Sequence, residues 1–424
     1  MAKLMWRLGS PQASIPAIHI AGTKGKGSVT HFAAAALEAS GLKTGLYTSP
    51  HVENLRERIL IHGRLIGEQR FVDACMAVMH EADAMRKNGC PPSYFEVLTA
   101  TALVAFHAAN VDVMILETGL GGRLDATNLS NMRVIAVGLT VISKDHEEIL
   151  GHTLAEIAAE KAEIIRQGVP TVCMMQDKDI QKLIAEKARE RRAKLFMVGK
   201  DVTVAVRKGV TPDKPSLGQR LDFEIWRNVY PDIPIAMLGR HQSENAAMAL
   251  GLVDLFLEYM DRDPLDLPVL KRAWRSLVLK ARLEVIGQNP WRIVDGAHNP
   301  ASTWVAAETI AESFSADRRA LIFGVAKEKD WRTMLRILAP QFNYMVLTTY
   351  DSPRAADPAD LSAFLSKEYP DIKIVAAMGP AHALELAEDF TSANGLILAC
   401  GSLYLAGEIR TLCRRDQKKD KAKA

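Results

Sequence analysis

The run Ala21-Gly22-Thr23-Lys24-Gly25-Lys26-Gly27-Ser28 decides the fold. An apolar stretch, 15–20, leads into it, and an alanine-rich one, 29–39, leads out. Strand, glycine loop and helix in that order build a phosphate cradle. Glycines let backbone amides converge on an anion, and the helix N-terminus adds a dipole that favours negative charge. Lys26 is placed to reach the β- and γ-phosphates of a nucleotide, and Ser28 offers a hydroxyl to phosphate or to its Mg²⁺. The match to the Walker pattern is imperfect, because Gly27 separates Lys26 from Ser28. A glycine turn with no ligand is the bland alternative. Lysine, serine, strand and helix all falling where phosphate binding wants them weighs against it.

Working outward, a second strand is expected at 42–47. The next stretch, 48–67, holds Thr48-Ser49-Pro50-His51 and Asn54-Leu55-Arg56-Glu57-Arg58 and reads as a long irregular connection, the kind that is functional or mobile. Helices follow at 68–86 and 94–109, separated by Pro91 and Pro92. An apolar strand at 111–117 ends on the carboxylate of Glu117 and runs into Thr118-Gly119-Leu120-Gly121-Gly122-Arg123-Leu124-Asp125-Ala126-Thr127-Asn128. Sheets of this class bind ligands beyond their strand ends, so Glu117 is a candidate Mg²⁺ ligand or base. After a strand at 134–140 comes Ser143-Lys144-Asp145-His146. A helix is expected over 153–166, with Thr153 and Glu156 as a capping box. Lys161 lies on it between Glu160 and Glu163, where a solvated lysine on a charged face is the ordinary reading.

Strand and helix alternate to 198. Between 202 and 237 the pattern changes to the short alternation of antiparallel strands. Helices then cover 239–259 and 267–276, and from 284 onward strand and helix alternate again, starting with a strand that ends in Asp295-Gly296-Ala297-His298-Asn299-Pro300. The expected class is α/β. A large N-terminal P-loop ATPase domain, 1–283, has a mainly parallel sheet and a small antiparallel one. A smaller Rossmann-like α/β domain covers 284–424.

The bulk properties agree. A chain of 424 residues, 48% hydrophobic and 24% charged, has material for two cores. A net charge of +3 gives no support for wholesale nucleic-acid binding, and the lysine-dense tail, 414–423, reads as a solvated terminus. The five cysteines are scattered and form no CxxC, which argues against a zinc site and for a reducing compartment. Residues 1–10 lack a signal-peptide core, and no apolar run is long enough to span a bilayer. A cytoplasmic monomer with no membrane or nucleic-acid partner is expected.

Taken together, Gly22 to Ser28, Thr48-Ser49-Pro50-His51, the stretch 117–128, Asp145-His146, Glu160-Lys161-Ala162, His241-Gln242-Ser243-Glu244-Asn245, Ala281-Arg282-Leu283-Glu284 and Asp295 to Pro300 resemble the folylpolyglutamate synthase/dihydrofolate synthase family of the Mur ligase superfamily. The resemblance covers nearly the whole chain. It implies an ATP-dependent ligase joining L-glutamate to dihydropteroate, to a reduced folate, or to both, through an acyl phosphate. Gly22, Thr23, Lys24, Gly25, Lys26, Gly27 and Ser28 would hold phosphates, with Asn245, Arg282 and Asp295 as further nucleotide contacts. Ser49, Glu117 and His146 match the family's Mg²⁺ ligands. Lys161 matches a lysine that is carbamylated in the family, which would turn a cation into an anion able to hold a second Mg²⁺. His298 and Ser302 fall on the expected glutamate side; Phe95, Arg123, Asp125 and Asn128 fall where the pterin end is received. Lys26, Lys161 and His298 are the expected catalytic groups. Lys24 departs from the family pattern, where bacterial relatives often carry asparagine. Two other readings compete: a peptidoglycan-type amino-acid ligase of the same superfamily, and a P-loop nucleotide-binding protein without ligase chemistry.

Overall fold

The computed structural model describes residues 1–207, 218–226 and 228–423. It divides into two compact units, the first built chiefly from 1–207 and 241–277, the second from 278 onward. Residues 208–217 and 227, part of the region expected to hold antiparallel strands, lie outside the described set, as do the side chains of 416–423 in the lysine-dense tail.

The first unit is organised by an eight-stranded sheet. Its strands are β1 (Pro16–Ala21), β2 (Thr44–Tyr47), β3 (Ile59–Ile61), β4 (Arg64–Leu65), β5 (Val113–Glu117), β6 (Arg133–Leu139), β7 (Thr171–Cys173) and β8 (Leu195–Met197), in the order β4-β3-β2-β5-β1-β6-β7-β8. From β2 to β8 every pairing is parallel. The central strands are buried along almost their whole length, which is why they read as unbroken apolar runs rather than as alternation. A three-stranded sheet, β9 (Val202–Val206), β10 (Gln219–Ile225) and β11 (Asn228–Ile235), supplies the small antiparallel element.

β3 and β4 correct the expectation for 48–67. β3 extends the sheet edge antiparallel to β2, and β4 pairs antiparallel to β3, so the stretch is partly ordered sheet. Strands of three and two residues are too short to carry a periodic signal. The Asn54 to Arg58 segment before them is a 3₁₀ turn closed by a capping box between Asn54 and Glu57. The helix expected over 153–166 ends sooner, at Ala162, with its capping box intact.

The helix after the glycine loop, Lys26–Ala39, is held from behind. The indole of Trp274, fully buried on the helix Leu267–Arg275, donates from Nε1 to the Phe32 carbonyl at 3.0 Å. Their rings meet edge to face with centroids 4.9 Å apart, a geometry worth about 0.5–1.5 kcal/mol beyond area burial.

The second unit has six strands, β12 (Glu284–Gly287), β13 (Trp291–Val294), β14 (Arg319–Phe323), β15 (Tyr344–Thr348), β16 (Lys373–Ala377) and β17 (Leu396–Cys400), ordered β12-β13-β17-β14-β15-β16. Only β12 runs antiparallel to its neighbour; the rest are parallel, the Rossmann-like arrangement expected. The described helices include none long and apolar enough to cross a membrane.

Candidate active site

In the first unit the site grows from the C-terminal ends of β1 and β5. The glycine loop leaves β1 at Ala21. Gly25 caps the following helix at φ 91°, a left-handed conformation that glycine alone adopts freely. A Cβ there would fall on the Asn245 Oδ1 atom, so glycine also admits the close approach of Asn245. Asn245 is itself oriented by its Nδ2 donating to Gln242 Oε1 at 3.0 Å. Thr23 is tied to the segment after β6: its hydroxyl donates to the Ser143 carbonyl at 3.1 Å and accepts from the Ser143 amide at 3.1 Å. Lys24 pairs with Asp145 at 3.3 Å, so its charge is already partly engaged. Ser28 is buried in the first turn of the helix, and Gly27 leaves the approach to Glu117 open, a Cβ there lying 3.6 Å from Oε2.

Two lysines converge on one carbonyl. Lys26 Nζ lies 3.2 Å and Lys161 Nζ 2.9 Å from the Gly22 oxygen. Lys26 also faces Glu117 Oε1 at 4.0 Å. Lys161 is 4% exposed, not on a solvated face. Burial, followed by the positive charge of Lys26, pulls its ammonium down from 10.5 to about 7. Glu117 is buried at the end of β5 and accepts the Ser49 amide at 3.2 Å. The structure therefore gathers Gly22, Lys26, Lys161, Glu117 and Ser49. His146 stands at a left-handed helix start, φ 54°, with half its side chain exposed, 3.9 Å from Asp145. No cluster of three His, Cys, Asp or Glu side chains able to hold a metal occurs among the described residues.

Beside this cluster opens a cavity of about 570 Å³, lined by Ser49, Arg58, Phe95, Arg123, Leu124 and Ile149 among others. Phe95 lies against Gly119, where a Cβ would collide with its ring. Arg123 is half-exposed and pairs with Glu160 at 2.9 Å. Asp125 and Asn128 are occupied within the loop. Asp125 Oδ2 accepts from the Gly119 and Leu120 amides, both at 2.9 Å. Its Oδ1 accepts from the Thr127 amide at 2.9 Å and hydroxyl at 2.6 Å. Asn128 donates to the Gly122 carbonyl at 3.0 Å and accepts from Arg166 at 3.0 Å. Both side chains hold the wall of the cavity in shape.

Three contributors escape a sequence reading. Arg58 lines the cavity and donates from Nε to His51 Nδ1 at 3.1 Å. Arg166 ties Asn128 to the Leu129 carbonyl. His19, fully buried on β1, meets the Thr127 hydroxyl at 2.8 Å and is held neutral, its pKa pulled down to about 3 by burial and then by Arg166. Since that hydroxyl donates to Asp125, it accepts from His19 Nε2–H. Only Arg58 lay in a stretch that could have been singled out, the Asn54 to Arg58 run.

In the second unit Asp295 ends the strand region after β13. Its carboxylate accepts the Leu283 amide at 2.7 Å and the Ala297 amide at 2.8 Å. Burial pushes its pKa up, opposed by the nearby Arg282 charge. His298 Nδ1 sits 2.8 Å from the Gly296 carbonyl, and the His298 amide donates to Ser302 Oγ at 3.3 Å. Ser302 Oγ also lies 2.9 Å from Asn299 Oδ1, the cap of the helix Pro300–Ser313. The structure thus groups Arg282 with Asp295 and His298 with Ser302.

Residues 20–253 match the Mur ligase middle domain and residues 281–403 the Mur ligase glutamate ligase domain. The class is therefore that of the Mur ligases, ATP-dependent enzymes. The chain is 32% identical, over 97% of its length and 93% of the relative's, to the dihydrofolate synthase/folylpolyglutamate synthase of Bacillus subtilis. Among solved structures it is similar to Mycobacterium tuberculosis folylpolyglutamate synthase complexed with ADP, with a TM-score of 0.87 at 32% identity, covering 97% of this chain and 93% of that one. It is also similar to Escherichia coli FolC in complex with DHPP and ADP, with a TM-score of 0.84 at 25% identity, covering 98% and 92%. The chain belongs to the folylpolyglutamate synthase/dihydrofolate synthase family and is an ATP-dependent ligase.

Proposed function

We propose that this enzyme uses ATP to activate the carboxylate of dihydropteroate, of a reduced folate, or of both, and joins it to the amine of L-glutamate. The observation that carries the reading is the convergence of Lys26 and Lys161 on the Gly22 carbonyl beside Glu117. A carboxylate is a poor electrophile with a poor leaving group. Transfer of the γ-phosphoryl group corrects both, but it requires two anions side by side, and cationic groups must offset their repulsion. Lys26 supplies that charge at the phosphates, with the loop amides from Gly22 to Ser28 around it. Asn245, Arg282 and Asp295 are assigned to the nucleotide, and His298 and Ser302 to the incoming glutamate. The apolar wall at Phe95 and Leu124 suits a flat ring system. Arg123 is assigned to the substrate at the cavity mouth, whereas Asp125 and Asn128 act by shaping the loop.

Mg²⁺ fits the donors present. One buried carboxylate, Glu117, beside Ser49, whose amide it accepts, would leave most of the ion's ligands to phosphate oxygens and water, the usual partition for Mg²⁺. When bound it neutralises phosphate charge. His146 is proposed as a further ligand. Glu117→Gln and His146→Ala are each expected to raise the Mg²⁺ concentration needed for half-maximal rate by about tenfold or more. A Mg²⁺ titration reads this directly, and parental titrations for both variants would place the metal elsewhere.

Lys161 is proposed to be carbamylated. Its neutral amine adds to carbon dioxide, forming an N–C bond and releasing one proton, which leaves an anion in place of a cation. The enzyme is further proposed to work as a cytoplasmic monomer; its five cysteines are all free thiols.

Gly119→Ala would drive a methyl into the Phe95 ring. It is expected to raise KM for the pterin-bearing substrate at least tenfold, while KM for ATP stays within about twofold of the parent. Equal shifts in both constants would remove Phe95 from the substrate pocket. The function as a whole is tested by ADP release from purified protein. Release should require L-glutamate together with dihydropteroate or tetrahydrofolate, and ADP formed at the same rate without glutamate would contradict the ligase reading.

A further inference from the structure

The segment Ala281-Arg282-Leu283-Glu284 takes an unusual course. Ala281 and Leu283 both adopt left-handed backbone conformations, φ 51° and 46°, although neither is glycine. Such residues persist only where their surroundings over-determine them. Both are buried, and Arg282 between them is exposed. The turn therefore holds its two flanks inside and projects one guanidinium outward.

Four bonds fix it. The Ala281 amide donates to Glu284 Oε2 at 3.0 Å, and the Leu283 amide donates to Asp295 Oδ2 at 2.7 Å. The Gly296 amide donates to the Ala281 carbonyl at 2.9 Å, and Arg282 Nη1 reaches the same carbonyl at 3.2 Å. Gly296 is the surface over which the guanidinium lies, since a Cβ there would sit 2.8 Å from Arg282 Nη1. Glu284 is in turn held from the far end of the chain. Arg410, 2% exposed on the helix Leu403–Lys423, donates from Nε to both Glu284 oxygens at 2.9 and 2.8 Å. A buried ion pair is a poor device for stability, because desolvation offsets most of its attraction. Through the Ala281 amide that Glu284 also accepts, the pair is tied directly to the turn that carries Arg282.

We propose that Glu284 and Arg410 are positioning residues for nucleotide binding: their buried pair clamps the doubly left-handed turn that aims the Arg282 guanidinium. The proposal rests on the assignment of Arg282 to the nucleotide. Without the clamp the Ala281 and Leu283 backbones relax toward extended conformations and carry the guanidinium away from its target.

The test is steady-state kinetics on the full chain, with circular dichroism and thermal melting as controls for folding. Arg282→Ala is expected to raise KM for ATP about tenfold with little change in kcat, the signature of lost uniform binding. Glu284→Gln is expected to raise it by a similar factor, again with kcat nearly kept. The double variant should show no further rise, because an absent guanidinium cannot be misplaced. Arg410→Lys keeps a cation opposite Glu284 but loses the planar fork. It should move KM for ATP in the same direction by a smaller factor, and it decides the matter should Glu284→Gln fail to fold. Fully multiplicative effects of Arg282→Ala and Glu284→Gln would overturn the proposal, as would parental KM for ATP in folded Glu284→Gln or Arg410→Lys. A parental KM in Arg282→Ala itself would overturn it differently, by removing Arg282 from the nucleotide.

Discussion

Lys26→Ala is expected to lower ligation at saturating ATP by about 10²–10³-fold, the usual loss when one preorganised charge is removed from a developing anion. The side chain is only partly buried and makes one hydrogen bond, to Gly22. Its loss therefore opens no core cavity, and the circular dichroism spectrum and melting temperature should stay close to the parent's. A second consequence follows from Lys161. Removing the Lys26 charge takes away one of the causes that lower the Lys161 ammonium, so that group should titrate at higher pH in the variant. Near-normal turnover at saturating ATP would show that the loop binds no transferring phosphoryl group.

Lys161→Ala is expected to cost about 10²-fold or more in turnover, for a reason other than a lost cation. A buried amine that loses its proton near pH 7 is competent to add carbon dioxide under ordinary conditions. Protein equilibrated with ¹³C-labelled carbon dioxide should give a carbamate carbon resonance that Lys161→Ala lacks. Occupancy should fall as pH drops below about 7 and on degassing, and formate or acetate should restore part of the variant's activity by filling the vacated space with an anion. Stability gives an independent check in degassed buffer. The folded-state pKa of about 7 lies below the unfolded value of 10.5, so the unfolded chain binds more protons between those limits. Burying Lys161 therefore costs the most below pH 7, and the penalty fades as pH rises toward 10. Lys161→Met should be more stable than the parent at pH 6 by on the order of a few kcal/mol, with the gap closing at high pH. A parent that shows no carbamate resonance and no difference from Lys161→Met at any pH would leave Lys161 an ordinary lysine.

These two lysines also mark the limit of what the sequence makes legible. Lys26 is readable because strand, glycine loop and helix are local, and a phosphate cradle is built from neighbours in the chain. Glu117 is readable for a similar reason, as the polar end of an apolar strand in a parallel sheet. Lys161 is not. Its neighbours Glu160 and Glu163 describe a charged face, and its contact with the Gly22 carbonyl spans 139 residues. Only the family resemblance pointed to it. Separations of 126 and 242 residues likewise hide Arg410 from Glu284 and Trp274 from Phe32. Asp125 and Asn128 show a different gap. A motif marks them as part of the site, but whether a side chain faces a ligand or its own loop depends on the turn. Here all four acceptor positions of Asp125 are spent on the loop. β3 and β4 are not legible, because five residues split between two strands offer no period to count.

Activation of the carboxylate by phosphorylation is tested with substrate labelled with ¹⁸O in both oxygens of that carboxylate. One labelled oxygen should leave with the phosphoryl group and appear in inorganic phosphate, the other staying in the new amide carbonyl. Mass spectrometry of the phosphate after turnover with ATP and L-glutamate should find one ¹⁸O per phosphate released. Unlabelled phosphate formed in step with the amide product would contradict the acyl phosphate.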